Sequence, residues 1–390
     1  MNLNRENFKN RAAFVGHALT EEEFSTSLIK EQMNGLGRKW PEKDEDPNFI
    51  LWFQFPIFVS ENEKAWMDFY VIPVYGSRFL ASARSGQSFS WVEKVAIHAM
   101  NQSIKDEVNL TMGWGALTKN VTDHGAEFWK KHSELLKNEK LCSTHGDAGS
   151  VALLLQAMEE AHVPAGARIA VVGANGAIGA SIAKQLRNFN PASVMLVGRS
   201  DRAGEMKNFK RLQKLGKEID CQEILLHQDM HSACLDHDSD VVIVATNGVE
   251  QLDPAEMTKG TLVLDVTAPS ACRPNPDWEG HDILVLKAGC GQFQYKGVLP
   301  DGFGKIGDRR LWDVGAGGER VLWGCAGETI ARAVFGKKGH LAGPDVPVAD
   351  VEWCQKHFPW MSFGPQPPDM FGKKLSWEEV RDFVAYNIHS

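Results

Sequence analysis

Two segments of this chain carry chemistry that works as a pair. The stretch Glu319-Arg320-Val321-Leu322-Trp323-Gly324-Cys325-Ala326-Gly327-Glu328-Thr329 sets a thiol among small residues. Upstream, Val172-Gly173-Ala174-Asn175-Gly176-Ala177-Ile178-Gly179 has the glycine spacing of a dinucleotide-binding turn. A thiol can capture an acyl group, and a nicotinamide can deliver hydride to it. Together they would reduce a thioester to an aldehyde.

The cysteine has a bland reading too. On a helix, Cys325 shares a face with Val321, Leu322, Glu328 and Thr329. The neighbouring Gly324 and Gly327 each cost helix stability, about 1 kcal/mol relative to alanine. They imply close approach of a ligand, or of another helix around a buried structural cysteine. A nucleophile must reach the thiolate form from a free pKa of about 8.5, which a helix N-terminus or a nearby cation would favour. Arg320, five residues back, lies off that face. Glu328 lies on it and would oppose the thiolate unless it acts as a base or pairs elsewhere; it is expected to orient Arg320 or a backbone group. Cys290, in Ala288-Gly289-Cys290-Gly291, is the rival nucleophile, placed after a strand at the carboxyl end of the sheet.

In the glycine turn, Gly173 permits the bend, Gly176 lets backbone approach a pyrophosphate, and Gly179 lets the following helix pack close. Asn175, Ala177 and Ile178 complete the turn, whose helix N-terminus offers N–H groups to phosphates. The next strand ends Gly198-Arg199-Ser200-Asp201-Arg202. Arg199 stands about where an NAD site would have its acid, and Ser200 and Arg202 add donors, so the cofactor is expected to be NADPH. Asp201 could instead contact a ribose, and the arginines could be solvated loop charges.

These residues need a scaffold. Arg168–Val172, Val194–Val197, Ile224–Leu226, Asp240–Ala245, Thr261–Val266 and Ile283–Lys287 read as short apolar strands spaced by helices. That is a parallel sheet of Rossmann type. Earlier, Asn48–Val59 and Phe69–Val74 read as strands, and Trp91–Val108, His124–Asn138 and Ser150–His162 as helices. Later, Glu319–Phe335 reads as a helix ended by Gly336, and 337–375 as loop. Ser376-Trp377-Glu378-Glu379 reads as a capping box opening a last helix. The fold class is α/β, in three parts: an N-terminal α+β substrate domain over 1–163, a Rossmann domain over 164–292, and a C-terminal helical segment over 293–390 carrying Cys325.

The 390 residues are 43% hydrophobic and 24% charged, with a net charge of −8. That composition suits a globular protein and gives no general footprint for nucleic acid. The N-terminus lacks the apolar core of a secretory signal, and the apolar run Phe49–Val59 is too short to span a bilayer. Seven cysteines without regular spacing fit a reducing cytoplasm.

The chain resembles the long-chain acyl-(acyl carrier protein) reductases of cyanobacteria, which form fatty aldehydes. Phe14-Val15-Gly16-His17-Ala18-Leu19-Thr20 resembles the family's opening Gly-His-Leu-Thr motif. Gly115-Ala116-Leu117-Thr118 resembles its Gly-Gly-Phe-Thr segment, and 172–179 its glycine turn. Asp240–Thr246 resembles its fourth strand, which brings Thr246 to the cofactor. Glu319-Arg320, Cys325 and Glu328 reproduce the spacing around the acylated cysteine. The segment Thr144-His145-Gly146-Asp147-Ala148-Gly149-Ser150 matches only loosely, and 291–318 is longer than in that family. The resemblance implies acylation of Cys325 by a thioester on acyl carrier protein or coenzyme A, then reduction by NADPH. It implies His17 as a proton donor or oxyanion partner, with Glu328 as a third catalytic residue. It also implies an aldehyde-consuming partner enzyme. A lone distant histidine equally suits a structural role.

His227-Gln228-Asp229-Met230-His231, with Cys234 and His237, mimics a metal cluster, but no second ligand pair fits a known spacing, so no metal is assigned. The aromatic run Phe49–Phe58 could line an acyl groove or be plain core. Two other functions compete. One is an NADP-dependent dehydrogenase of an alcohol or keto acid, similar to shikimate dehydrogenases or glutamyl-tRNA reductases. The other is a protein that senses NADP without turnover.

Overall fold

The structure is a computed structural model describing residues 5–18, 47–201, 206–230, 238–246, 251–267, 270–294, 305–306, 309–310 and 321–388. Arg202, Arg320, His231, Cys234 and His237 lie outside the described residues. The chain forms two compact units. The first comprises Met1–Gly149, Gly291–Pro344 and Lys356–Gly364; the second comprises Ser150–Cys290, Asp345–Gln355 and Pro365–Ser390. The segment expected to stand alone over 293–390 is therefore shared between the two. The boundary expected at 163 falls instead after Gly149, near the start of the Asp147–Glu160 helix.

In the first unit, strands β1 (Asn10–Ala18), β2 (Ile50–Phe58), β3 (Lys64–Tyr75), β4 (Asn109–Trp114) and β5 (Leu141–Thr144) form one sheet in the order β2-β3-β1-β4-β5. β1 runs parallel to β3 and β4, and β4 parallel to β5; only edge strand β2 is antiparallel. This corrects the α+β expectation. Parallel neighbours require crossovers, and helices supply them: Gln87–Lys105 between β3 and β4, and Thr118–Val121 with Ala126–Lys131 between β4 and β5. In Gln87–Lys105, Trp91, Val92, Val95, Ala96, Ala99 and Met100 recur at helical spacing and enter the core with Tyr70, Leu110 and Met112. Strands β1, β4 and β5 escape a reading by pattern because Gly16, His17, Thr111, Gly113 and Thr144 interrupt their apolar runs.

A second correction concerns the C-terminal third. Residues 319–335 are not one helix. Val321–Trp323 is a strand in a small three-stranded sheet, and the helix is Gly324–Val334. Branched and aromatic side chains favour the strand, and the break falls at Gly324. The helix ends as expected, with Gly336 in the left-handed region at φ +64°. It packs on β1, β3 and β4. A Cβ at Gly113 on β4 would come within 2.9 Å of the Thr329 Cγ2, so the glycine lets helix and sheet close up. Within 337–375, Val348–His357 is helical, flanked rather than interrupted by Pro344, Pro347 and Pro359.

The second unit is the doubly wound domain. Strands β6 (Arg168–Val172), β7 (Ser193–Val197), β8 (Glu223–His227), β9 (Val241–Val244), β10 (Leu262–Asp265) and β11 (Leu284–Lys287) lie in the order β11-β10-β9-β6-β7-β8, all parallel. Counted along the domain this is the 3-2-1-4-5-6 order of Rossmann folds, with the chain reversing direction across the sheet between β6 and β9. The capping box forms as read: Ser376 Oγ accepts from Glu379 N–H, and Glu379 Oε2 accepts from Ser376 N–H.

Candidate active site

Because the helix starts at Gly324, Cys325 is its second residue. Trp323 precedes the helix with extended backbone and no side-chain cap. The first-turn N–H groups, and the positive end of the helix dipole, are thus presented around a half-buried sulfur. The positive end of a helix dipole favours negative charge in its first turn.

The loosely matched segment 144–149 lies over this helix end. Gly146 has φ +76°, and a Cβ there would stand 2.5 Å from the Cys325 Cα. A Cβ at Gly149 would meet the Glu328 Cβ at 2.8 Å. Glu328 is fully buried and binds the two pieces together. Its Oε1 accepts from Thr144 Oγ1 at 2.5 Å and from Arg332 Nε at 2.8 Å, and its Oε2 accepts from Gly149 N–H at 2.9 Å. The backbone group that Glu328 meets is the Gly149 N–H. Its ionic partner is Arg332, one turn on, itself 2% exposed.

The same segment, with Lys119 and His124 from the Thr118–Val121 helix and the turn after it, supplies the charged groups that sequence reasoning missed. Lys119 Nζ donates to Asp147 Oδ1. Burial works against the Lys119 charge, but Asp147, the Cys325 sulfur and Glu328 outweigh it and hold the ammonium above the usual lysine range. Burial likewise opposes the fully buried Asp147 carboxylate. Lys119, His124 and His145 nonetheless hold it well below the usual carboxylate range. Asp147 Oδ2 faces His145 Nδ1 at 3.2 Å and His124 Nδ1 at 3.3 Å. His145 Nδ1 also lies 3.3 Å from the Asp147 backbone N. Neutral, with its proton on Nε2, that ring accepts from the amide; protonated, it donates to the carboxylate. Burial favours the neutral ring, but Asp147 and Glu328 prevail and raise the His145 pKa.

His17 sits on β1, 7% exposed and stacked on Phe79 at 4.7 Å. Its Nε2 accepts from Leu117 N–H at 3.2 Å. Gly115 N–H donates to Val15 O at 2.8 Å, and Thr118 Oγ1 donates to Gly115 O at 2.6 Å. The segments around His17 and Gly115–Thr118 therefore form one corner. The next residue after that corner is Lys119, so His17 helps hold the short helix that carries the ammonium.

In the second unit the glycine turn 173–179 joins β6 to the Ala177–Gln185 helix. Gly173, at φ +90°, lies so close to β9 that a Cβ would stand 2.7 Å from the Ala245 carbonyl carbon and 3.1 Å from the Thr246 N. A Cβ at Gly179 would stand 2.8 Å from the Gly173 carbonyl carbon. Gly176 is roomier, its Cβ 3.3 Å from the nearest atom. Ala177 and Ile178 open the Ala177–Gln185 helix, whose first turn has no side-chain cap. Both amide atoms of Asn175 are buried without a hydrogen bond. Free N–H groups, space at Gly176 and an unpartnered amide fit a dinucleotide.

At the end of β7, Asp201 is already engaged. Its Oδ1 accepts from Asn208 N–H at 2.7 Å, and its Oδ2 from Phe209 N–H at 3.0 Å and Gln228 Nε2 at 2.9 Å. It caps the Lys207–Gly216 helix, which takes up the carboxylate that could have met a ribose. Ser200 Oγ donates to Gln228 O at 2.5 Å, and Arg199 is exposed beside it. The rival Cys290 is 4% exposed, and burial pushes its thiol pKa up, away from the thiolate. His227 Nδ1 pairs with Asp229 O at 3.1 Å, and the rest of that His/Cys run lies outside the described residues. Among the described residues, no helix is long and apolar enough to cross a membrane.

No protein-family profile matches the chain, and no curated protein matches it. Solved structures are similar over part of its length. A quinone oxidoreductase from Thermus thermophilus, solved also with NADPH, aligns with 35% of this chain and 42% of its own at 17% identity and a TM-score of 0.28. Acetophenone reductase from Geotrichum candidum, in complex with NAD, aligns with 36% and 38% at 16% identity and a TM-score of 0.27. The 2R,3R-butanediol dehydrogenase from Bacillus subtilis aligns with 35% and 40% at 18% identity and a TM-score of 0.27. The chain thus spans less than half the length of each.

Proposed function

We propose that this protein reduces an acyl thioester to an aldehyde with NADPH, through an acyl group carried on Cys325. The observation that carries the reading is the setting of that thiol: second residue of an uncapped helix, half-buried, with the Lys119 ammonium in electrostatic reach. Two positive sources favour the anionic nucleophile over the thiol.

The Cys325 sulfur attacks the thioester carbon, a new C–S bond forms, and the carrier leaves as its thiolate. Acyl transfer between two sulfurs is nearly isoenergetic, so the step needs positioning more than driving force. Lys119 stabilises the negative charge that moves from sulfur to the carbonyl oxygen. Asp147 fixes the ammonium, and the Glu328 contacts to Thr144 and Gly149 hold the loop over the sulfur. Gly173–Gly179 and Arg199 would hold NADPH, whose chemistry when bound would be hydride donation to the acyl carbon. Collapse of the thiohemiacetal on Cys325 then breaks the C–S bond, releases the aldehyde and restores the thiolate. Such a product is reactive, which fits a partner enzyme that consumes it.

A second reading is favoured by the Lys119–Asp147 pair. In an alcohol or keto-acid dehydrogenase, that ammonium would protonate the developing alkoxide and no acyl-enzyme would form. Mixing the protein with a long-chain acyl-CoA, without NADPH, separates the two. The thioester reductase gains the acyl mass on Cys325 and then releases aldehyde when NADPH is added. A protein that stays at its unmodified mass with both acyl-CoA and acyl carrier protein donors is not this enzyme.

A further inference from the structure

One buried group in the first unit has donor capacity that its hydrogen bonds do not use. Asp147 Oδ1 is taken by Lys119. Its Oδ2 is buried with no hydrogen bond, as is His124 Nδ1; His145 Nδ1 accepts from the Asp147 N–H at 3.3 Å, a bond it would give up to ligate an ion. Asp147 and His145 are wholly buried, and the His124 side chain is 15% exposed. One donor atom from each of the three residues lies within 4.8 Å of the others.

Those separations suit a shared cation. Bonds of about 2.0–2.2 Å from zinc to nitrogen and oxygen, at tetrahedral angles, set neighbouring donors roughly 3.3–3.5 Å apart. The two imidazole Nδ1 atoms stand 3.2 and 3.3 Å from Asp147 Oδ2. The outer contact is also of the right kind. A ligating carboxylate commonly has its second oxygen held by a hydrogen bond, as Lys119 holds Oδ1 here. Two imidazoles and one carboxylate suit a borderline divalent ion better than Mg2+ or Ca2+, which prefer all-oxygen sites. The partly exposed His124 edge is the side from which an ion would enter.

We propose that His124, His145 and Asp147 form a binding site for one Zn2+ ion per chain, with a fourth position left open. The cluster is distinct from the His/Cys run after β8. It does not depend on the thioester reading, since the three donors would hold the ion whichever reaction Cys325 serves.

The test is direct metal binding. The full-length protein, stripped with a chelator, is titrated with Zn2+ against a chromophoric competitor, and with Co2+ followed by visible absorption. One equivalent is expected, with the moderately intense visible bands of a four- or five-coordinate N/O site. His124→Ala is expected to weaken Zn2+ binding by at least about a hundredfold. Cys325→Ser is expected to leave the stoichiometry and spectrum unchanged. Should His124→Ala misfold, by far-UV circular dichroism, His124→Gln replaces it and the wild-type Co2+ spectrum still reports the donor set. Less than stoichiometric binding, or equal affinity in wild type and the His124 variant, overturns the site. So does a thiolate-to-Co2+ band that vanishes in Cys325→Ser, which would put the ion on sulfur. The acyl-adduct mass measurement is independent of all these outcomes, so failure of one proposal leaves the other standing.

Discussion

Gly146 backs directly onto Cys325. At φ +76°, it passes the loop so close to the helix start that a Cβ would lie 2.5 Å from the cysteine Cα and 2.8 Å from its carbonyl oxygen. The turn leading into the Asp147–Glu160 helix and the helix that carries the thiol are thereby held close, with Glu328 fastening them through Thr144 and Gly149.

Replacing that glycine tests the arrangement. Gly146→Ala adds left-handed strain of roughly 1–2 kcal/mol and an overlap that costs about as much again. Chemical denaturation should show a loss of about 2–4 kcal/mol in the first unit. Iodoacetamide should also react with Cys325 at an altered rate. A variant as stable and as reactive as wild type would refute the close approach.

The two candidate nucleophiles should behave oppositely. Cys325→Ala is expected to abolish acyl-adduct formation and aldehyde release while leaving NADPH titration intact. Cys290→Ala is expected to keep the adduct, since that thiol is buried and its pKa is pushed up. Peptide mapping of the acylated protein decides between them.

Lys119→Met keeps the length of the side chain and removes its charge. Under the proposed role of Lys119, losing its charge should lower the acylation rate by about 10²–10³-fold. Single-turnover mass measurements give that rate directly. Cofactor affinity, read by fluorescence, should not change.

Glu328→Gln takes one carboxylate charge away from the buried Arg332 guanidinium. Breaking one side of a buried pair costs about 3–5 kcal/mol, so the variant should unfold at markedly lower denaturant. A double variant, Glu328→Gln with Arg332→Met, should recover part of the loss, which a purely chemical role for the carboxylate would not produce.

Arg199→Ala should weaken NADPH much more than NADH. A charge-assisted contact to a 2′-phosphate contributes about 1.5–3 kcal/mol, or roughly 10–150-fold in Kd. Equal losses for both cofactors would count against 2′-phosphate recognition.

Much of this protein can be read from local pattern. A strand buried on both faces must be apolar along its length, so β6, β7, β9, β10 and β11 stand out as short runs between glycines and helix formers. The turn 173–179 announces itself because close backbone approach excludes side chains at fixed spacing. The Ser376 capping box is legible for the same reason: its partners are three residues apart.

What lay beyond the sequence is what long-range pairing decides. Lys119 and Asp147 are 28 residues apart, and Thr144 and Glu328 are 184 apart. No local rule links them. Lys119 follows directly on Thr118, the end of the matched Gly115–Thr118 segment, and Asp147 sits inside the loosely matched one, so position alone hinted at both. The helix start at Gly324 was equally hidden, because Val321–Trp323 can enter a helix or a strand and only a neighbouring strand settles which. That choice moves Cys325 from mid-helix to a helix N-terminus. The residue type was written in the chain; its electrostatic setting was made by the parallel order of β1, β4 and β5, which brings distant charges to one sulfur.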